Sequence, residues 1–169
     1  MSGKNCSVVV YPGTYDPITM GHLDIVRRAL SIFDKVVILV SENANKKVLF
    51  DIDERVRLVY LALEDAGFPK DRIIVDKNSG FTVEYMKAHG YKTMIRGLRA
   101  VSDFEYEMQI ALANKHLRED VETIFMVSDL KYQFLRSTIV REIARLGGKL
   151  EGLVTPSVEK ALREKFQRR

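Results

Sequence analysis

Two stretches of this chain concentrate side chains whose types and spacing suit phosphate chemistry. The first is Tyr11-Pro12-Gly13-Thr14-Tyr15-Asp16-Pro17-Ile18-Thr19-Met20-Gly21-His22. Gly13 allows a backbone to approach a ligand, Thr14 supplies a hydroxyl and an amide, and His22 enters the first turn of a helix, where free N–H groups favour anions. Residue by residue this could equally be an ordinary strand-to-helix turn. As one unit it reads as a phosphate cradle. The second stretch is Met94-Ile95-Arg96-Gly97-Leu98-Arg99-Ala100-Val101-Ser102-Asp103-Phe104-Glu105-Tyr106-Glu107. Arg96 and Arg99 flank a glycine, so two guanidiniums can clamp separate phosphate groups by bidentate bonds at any working pH. Either arginine alone would more commonly be solvated or weakly paired with Asp103 or Glu105. Two lesser stretches are Asn43-Ala44-Asn45-Lys46-Lys47 and Lys131-Tyr132-Gln133-Phe134-Leu135-Arg136-Ser137-Thr138. A lysine pair in a loop is usually solvated, and hydroxyls at a helix start suit phosphate binding and N-capping alike.

The elements that must position these residues follow from hydrophobic periodicity. Apolar runs at 7–11, 35–40, 72–75, 93–96 and 123–127 predict five strands, apolar on both faces as a parallel sheet covered by helices requires. Between them the pattern predicts helices over 21–33, 52–66, 82–89, 102–118 and 137–146, with a last one opened by Thr155-Pro156 and running to about 166. Asp51 with Glu54, and Ser102 with Glu105, have the three-residue spacing of capping boxes, and Gly147-Gly148 closes the fifth helix. Phe104, Met108 and Leu112 form one apolar face. Strand and helix alternating in this way give a doubly wound α/β sheet of five parallel strands, with its ligand crevice beyond the carboxyl ends of the strands. Each phosphate-suited stretch follows one of those strands.

Composition excludes several classes. Twenty-seven Lys and Arg against 23 Asp and Glu leave a net charge of +4, which favours anionic partners. The cations are dispersed, so neither a nucleic-acid patch nor a membrane partner is expected. No apolar run approaches the ~20 residues of a membrane span, and no signal peptide is evident, so the expected location is cytoplasmic. The lone Cys6 forms no internal disulfide and reads as a strand-entry residue. His89 and His116 have no ligands at metal spacing. Neither a Walker A pattern nor Gly-x-Gly-x-x-Gly occurs, which removes the usual kinase and dehydrogenase readings.

The segment YPGTYDPITMGH resembles the nucleotidylyltransferase superfamily, whose (His/Thr)-x-Gly-His motif is here Thr19-Met20-Gly21-His22. It is similar in particular to the phosphopantetheine adenylyltransferase family, and IRGLRAVSDFEYE matches that family's signature almost letter for letter. The resemblance covers nearly the whole chain and implies one Rossmann-like domain over residues 1–169. It implies transfer of AMP from ATP to 4'-phosphopantetheine, giving 3'-dephospho-coenzyme A and pyrophosphate in coenzyme A biosynthesis. His22 would stabilise the transition state at the α-phosphorus, and Thr14 would orient the attacking phosphate. ATP would be bound by Thr14, Tyr15, His22, Gly97, Leu98, Arg99 and Glu107, and by the run Tyr132, Gln133, Phe134, Leu135, Arg136, Ser137 and Thr138. Phosphopantetheine would meet Thr14, Lys46, Arg96 and, through the Ser79-Gly80-Phe81-Thr82-Val83 loop, Thr82. Mg²⁺ would arrive with ATP and without protein ligands. A homohexamer, as a trimer of dimers, and feedback inhibition by coenzyme A are also implied. Gln133 and Arg136 depart from the family, which has serines there. Two rival readings are another nucleotidylyltransferase, acting on nicotinate mononucleotide or a polyol phosphate, and a non-catalytic anion- or nucleic-acid-binding α/β module.

Overall fold

Runs of Val and Ile with apolar side chains on both faces of the pleat need a covering layer on each side. The computed structural model, which describes residues 7–42 and 47–167, provides both layers. In chain order the elements are β1 (Val8–Gly13), α1 (Met20–Ala29), β2 (Lys35–Ser41), α2 (Ile52–Asp65), β3 (Ile73–Asn78), α3 (Thr82–Ala88), β4 (Thr93–Leu98), α4 (Val101–Leu117), β5 (Glu122–Val127), α5 (Ser137–Arg145) and α6 (Pro156–Gln167). The five strands form one sheet in the order β3-β2-β1-β4-β5, every neighbouring pair parallel. Cys6 and Lys46 lie outside the described residues.

Alternation along the central strands divides the core in two. Val9, Val36, Ile38 and Ile95 face one cluster with α1, α2, α5 and α6, whereas Val10, Val37, Leu39 and Met94 face a smaller one with Val83 and Met86 of α3. Each successive residue therefore serves the opposite layer, as the period of a strand dictates. The strands run two or three residues past the apolar pattern, through Gly13, Asn78 and Leu98. Ladder bonds do not depend on side-chain polarity, so polar and glycine ends leave no hydrophobic signal. Helix α1 stops at Ala29 instead of reaching Phe33. The Arg72 guanidinium takes the carbonyls of Leu30, Phe33 and Asp34 at 2.7, 2.8 and 2.9 Å, satisfying groups that a longer helix would have used.

Asp51 and Glu54 form the expected capping box, with the Glu54 amide on Asp51 at 2.8 Å and the Asp51 amide on Glu54 at 2.9 Å. Ser102 forms none: α4 starts at Val101 with Ala100 as its cap, so Ser102 is already inside the helix. Its box is pre-empted because Asp103 turns back to the Arg99 amide at 3.2 Å. The apolar face of α4 is also not a core face. Phe104, Met108 and Leu112 stay 39%, 41% and 63% exposed, and no residue of α4 is buried. Gly147, at φ 75°, ends α5 while the Gly148 amide returns to the Ile143 carbonyl, closing the helix as expected.

The sheet is not evenly knitted. Six residue pairs join β1 to β2, β2 to β3 and β4 to β5, but β1 meets β4 at the single pair Val10 and Met94. This is where strand order reverses, and the carboxyl ends part beyond it. The two caps give a direct check: at fixed protein concentration Asp51→Ala should cost about 1 kcal/mol of stability in urea unfolding, whereas Ser102→Ala should leave it unchanged or slightly raised. A matching loss at Ser102 would show that it caps α4 after all.

Candidate active site

The gap between β1 and β4 opens into a cleft of about 320 Å³. Its walls come from the end of β1 and the loop to α1 (Pro12, Gly13, Thr14), the start of α1 (His22, Ile25), the end of β4 (Arg96, Gly97, Arg99) and α4 (Tyr106, Glu107, Ile110).

His22 is fixed by its own helix start. The buried Thr19 donates its amide to His22 Nδ1 at 3.0 Å, and Thr19 Oγ1 lies 2.9 Å from the same nitrogen. With Nδ1 accepting, the neutral ring carries its proton on Nε2, the nitrogen left for the cleft. Burial, helped by the charge of Arg99, lowers the His22 pKa from 6.5 to about 4. The imidazole is thus a neutral hydrogen-bond donor at physiological pH. Tyr15 supports it from below: the rings meet edge-on at 5.1 Å, and Tyr15 donates its hydroxyl to the Tyr11 carbonyl at 2.7 Å. These contacts hold Tyr15 at φ 50°, a left-handed conformation uncommon for a large residue. A Cβ on Gly13 would come within 2.9 Å of the Tyr15 ring, so the glycine makes room for that ring as well as lining the cleft.

Both signature arginines already have partners. Arg96 forms a bidentate pair with Glu107, at 2.5 and 2.9 Å, and donates to the Pro12 carbonyl across the strand gap at 3.1 Å. Burial opposes its charge, but the Glu107 carboxylate outweighs this and holds its pKa above the ordinary value. Arg99 pairs with Asp103 at 3.2 Å and reaches the Leu135 carbonyl at 3.4 Å. The partner of Arg96 is Glu107, not Glu105, because residues 103 and 107 lie one helical turn apart on the face of α4 that meets β4.

Among the described site residues the cleft gathers Thr14, Tyr15, His22, Thr82, Arg96, Gly97, Arg99, Glu107, Tyr132 and Leu135. Tyr15 can offer a ligand its backbone but not its buried hydroxyl. Leu98, Gln133, Phe134, Arg136, Ser137 and Thr138 do not line it. Ser137 spends its hydroxyl on the Pro17 carbonyl at 2.8 Å. Arg136 caps α5 without a side-chain cap bond and stands 3.5 Å from Asp103, so it shares that carboxylate with Arg99. His89 and His116 are exposed, His89 stacked on Tyr85 at 4.2 Å.

Pattern reading misses Tyr11, Ser41, Glu42, Tyr106, Ile110 and Ser128 as cleft residues. Ser41, Glu42 and Ser128 sit where β2 and β5 end, so the crevice rule could have found them. Tyr106 and Ile110 are four apart on α4 beside Glu107, which a helical projection of the signature would have shown.

The cytidylyltransferase-like family matches residues 10–143 of the chain. A protein of Coprothermobacter proteolyticus named phosphopantetheine adenylyltransferase is 53% identical over 159 residues, covering 94% of this chain and 96% of its own. One of the same name from Thermotoga neapolitana is 49% identical over 160 residues, covering 95% and 97%. Among solved structures, a bifunctional NMN adenylyltransferase/ADP ribose pyrophosphatase from Francisella tularensis aligns with a TM-score of 0.74 at 14% identity, over 96% of this chain and 52% of its own. That likeness speaks for the fold.

The depressed His22 pKa makes a pH prediction. Because the unfolded chain takes up this proton more readily, the stability contributed by neutral His22 is complete above pH 6.5 and is lost as pH falls toward 4. His22→Asn should therefore show a shallower fall of the thermal midpoint across that window than the parent. Equal slopes would mean the ring is not held neutral.

Proposed function

The chain belongs to the cytidylyltransferase-like family and, within it, to the phosphopantetheine adenylyltransferases, and from that premise we propose that it moves AMP from ATP to 4'-phosphopantetheine in coenzyme A biosynthesis. The observation that carries the reading is a neutral imidazole, its Nε2–H without a partner among the described residues, in a cleft that also holds two guanidiniums. A phosphate monoester has a second pKa of about 6, so the acceptor is already largely dianionic at neutral pH and needs no general base. Its oxygen attacks the α-phosphorus, the bond to the β-phosphate oxygen breaks, and pyrophosphate leaves with the electron pair; no proton is transferred and no covalent enzyme intermediate forms. The chain's task is to hold two anions in line and to stabilise charge on the α-phosphoryl oxygens. His22 donates from Nε2 to that developing charge. Thr14 orients the acceptor phosphate with Arg96 and with Lys46, which is outside the described residues, and Thr82 borders the pantetheine arm. Arg99, Gly97, Leu98, Glu107 and the 132–138 segment take the nucleotide.

Arg96 and Arg99 enter the reaction from ion pairs, so an arriving phosphate exchanges one anionic partner for another instead of meeting a bare buried cation. Among the described residues no three His, Cys, Asp or Glu side chains gather as a metal cage. Mg²⁺ is proposed to arrive on the triphosphate, where it would neutralise phosphate charge. Residues 1–169 act as one domain, in the cytoplasm, and no described helix is long and apolar enough to cross a membrane. The open apolar face of α4, with Val101 and Leu112 largely exposed, supports assembly into the homohexamer of the family. Coenzyme A, which contains the product's structure, would compete for the same cleft.

Two experiments test this reading. Pyrophosphate release from ATP should require phosphopantetheine and not be supported by nicotinate mononucleotide or glycerol phosphate, and His22→Ala should lower kcat by about 10²-fold or more while changing ATP affinity far less. Acceptor-independent binding of ATP without turnover would leave only a binding module. Arg136, shared on Asp103 beside Arg99, is proposed to swing to the triphosphate. Arg136→Ser should weaken ATP binding in titrations at low salt, with the difference shrinking at high salt. Identical titrations for parent and variant would remove Arg136 from the site.

A further inference from the structure

Arg55, on α2, is the most buried cation among the described residues, 2% exposed. Burial lowers its pKa, partly offset by the charges of Asp16, Glu42 and Asp51. An apolar side chain at such a position would avoid the cost of desolvating a charge. What it could not do is bond main-chain carbonyls from three separate segments. Arg55 Nη1 donates to the Thr14 carbonyl at 2.6 Å and to the Ser41 carbonyl at 3.0 Å, while Nε donates to the Phe50 and Asp51 carbonyls at 3.2 and 3.3 Å. The planar guanidinium fork fixes these directions together, which an ammonium on a flexible stem cannot.

Two of the four carbonyls belong to cleft residues, Thr14 and Ser41. The other two belong to the entry of α2, whose capping box makes it a rigid base. A second buried charge braces the same junction in the opposite sense. The Asp16 carboxylate, 4% exposed, accepts the amides of Leu49 and Phe50 at 2.8 and 2.9 Å and pairs with Arg141 of α5. The turn 14–16 is therefore tied to the segment 49–51 in both directions, carbonyl to guanidinium and carboxylate to amide.

From this geometry, and resting on the transferase reading above, we infer that Arg55 is a positioning residue for catalysis: it sets where Thr14 stands relative to the end of β2, and so the line along which the acceptor phosphate approaches the α-phosphorus. It touches neither substrate. Its effect appears in turnover because misplacing an orienting group by about 1 Å can cost on the order of 10²-fold in rate. ATP, held mainly from β4 and the segment after β5, feels it less.

The test uses the full chain with Arg55→Lys and Arg55→Gln, each assayed for acceptor-dependent pyrophosphate release at a temperature where circular dichroism shows it folded. We expect kcat per folded molecule to drop about tenfold or more in both, with ATP affinity by titration little changed. A double-mutant cycle with Thr14→Ala separates positioning from general support: once the Thr14 hydroxyl is gone, Arg55→Lys should cost several-fold less than in the parent. Additive losses, parental kcat in both variants, or failure of both to fold would each overturn the assignment. A parent that releases no pyrophosphate would instead bring down the transferase reading, and this inference with it; a parent that turns over beside unimpaired Arg55 variants would bring down this inference alone.

Discussion

Beyond Val10 and Met94 the backbones of β1 and β4 part, and the cleft exists because they do. At this reversal of strand order the chain leaves β1 for α1 on one face of the sheet and leaves β4 for α4 on the other, so neither connection roofs the gap. Everything of chemical interest is arranged around that opening. Arg96 reaches across it to the Pro12 carbonyl, which replaces a missing ladder bond with a charged one. Tyr11 points into it, buried yet lining the cleft, and its hydroxyl would lie 3.4 Å from a Cβ on Gly97. The sheet thus converts a topological necessity into a polar pocket walled by apolar strands.

That pocket is electrostatically prepared in two ways. Its guanidiniums are half-buried but paired, Arg96 with Glu107 and Arg99 with Asp103, so neither is left as an uncompensated charge when the cleft is empty. Its histidine is the reverse case, kept neutral by burial and by a neighbouring cation. A neutral donor suits a reaction whose acceptor is already ionised: a charged imidazolium would hold the ground-state triphosphate as tightly as the transition state, and uniform binding does not raise kcat. The Thr19 amide secures the tautomer that makes the donor useful. In this sense the Thr-x-Gly-His spelling is a local hydrogen-bond device, with threonine and histidine three residues apart because that distance spans one helical turn.

Most of the fold is legible in the sequence because apolar periodicity and ladder geometry report the same thing. All five strands and six helices stand where periodicity puts them, with differences confined to their ends, such as Asp76 to Asn78 added to β3 and Leu30 to Phe33 left off α1. The site is legible in part. Thr14, His22, Arg96, Arg99 and Glu107 converge as their motifs suggest. What pattern cannot show is which carboxylate each arginine takes, that Gly13 serves the Tyr15 ring, or that Asp103 turns away from capping α4. These depend on side-chain packing across elements far apart in sequence. Arg55 is invisible for the same reason: within α2 it looks like any helical arginine, and its carbonyl partners lie up to 41 residues away.

The wall of the cleft formed by α4 poses a mechanical question that the core cannot answer. Tyr106, Glu107 and Ile110 face the ligand space, yet no residue of α4 is buried, and what ties the helix to its own chain is polar or marginal. The Arg96–Glu107 and Arg99–Asp103 pairs hold its first half, a Phe104–Phe125 ring contact at 5.6 Å joins it to β5, and Lys115 pairs with Glu122 near its end. Exposed pairs of the last kind contribute little, roughly 0–1 kcal/mol. The half-buried ones are those that phosphate binding would disturb. A helix whose anchors are also its proposed ligand contacts would need another source of rigidity while those anchors exchange partners. Phe104, Met108 and Leu112 supply the surface for it, since burying a large apolar side chain contributes about 1.5–3 kcal/mol and does so without regard to what occupies the cleft. In the proposed assembly, then, contact between copies would do for α4 what the two-sided core does for the central strands, and the apolar pattern that reads as a core face in sequence would be one, formed between chains.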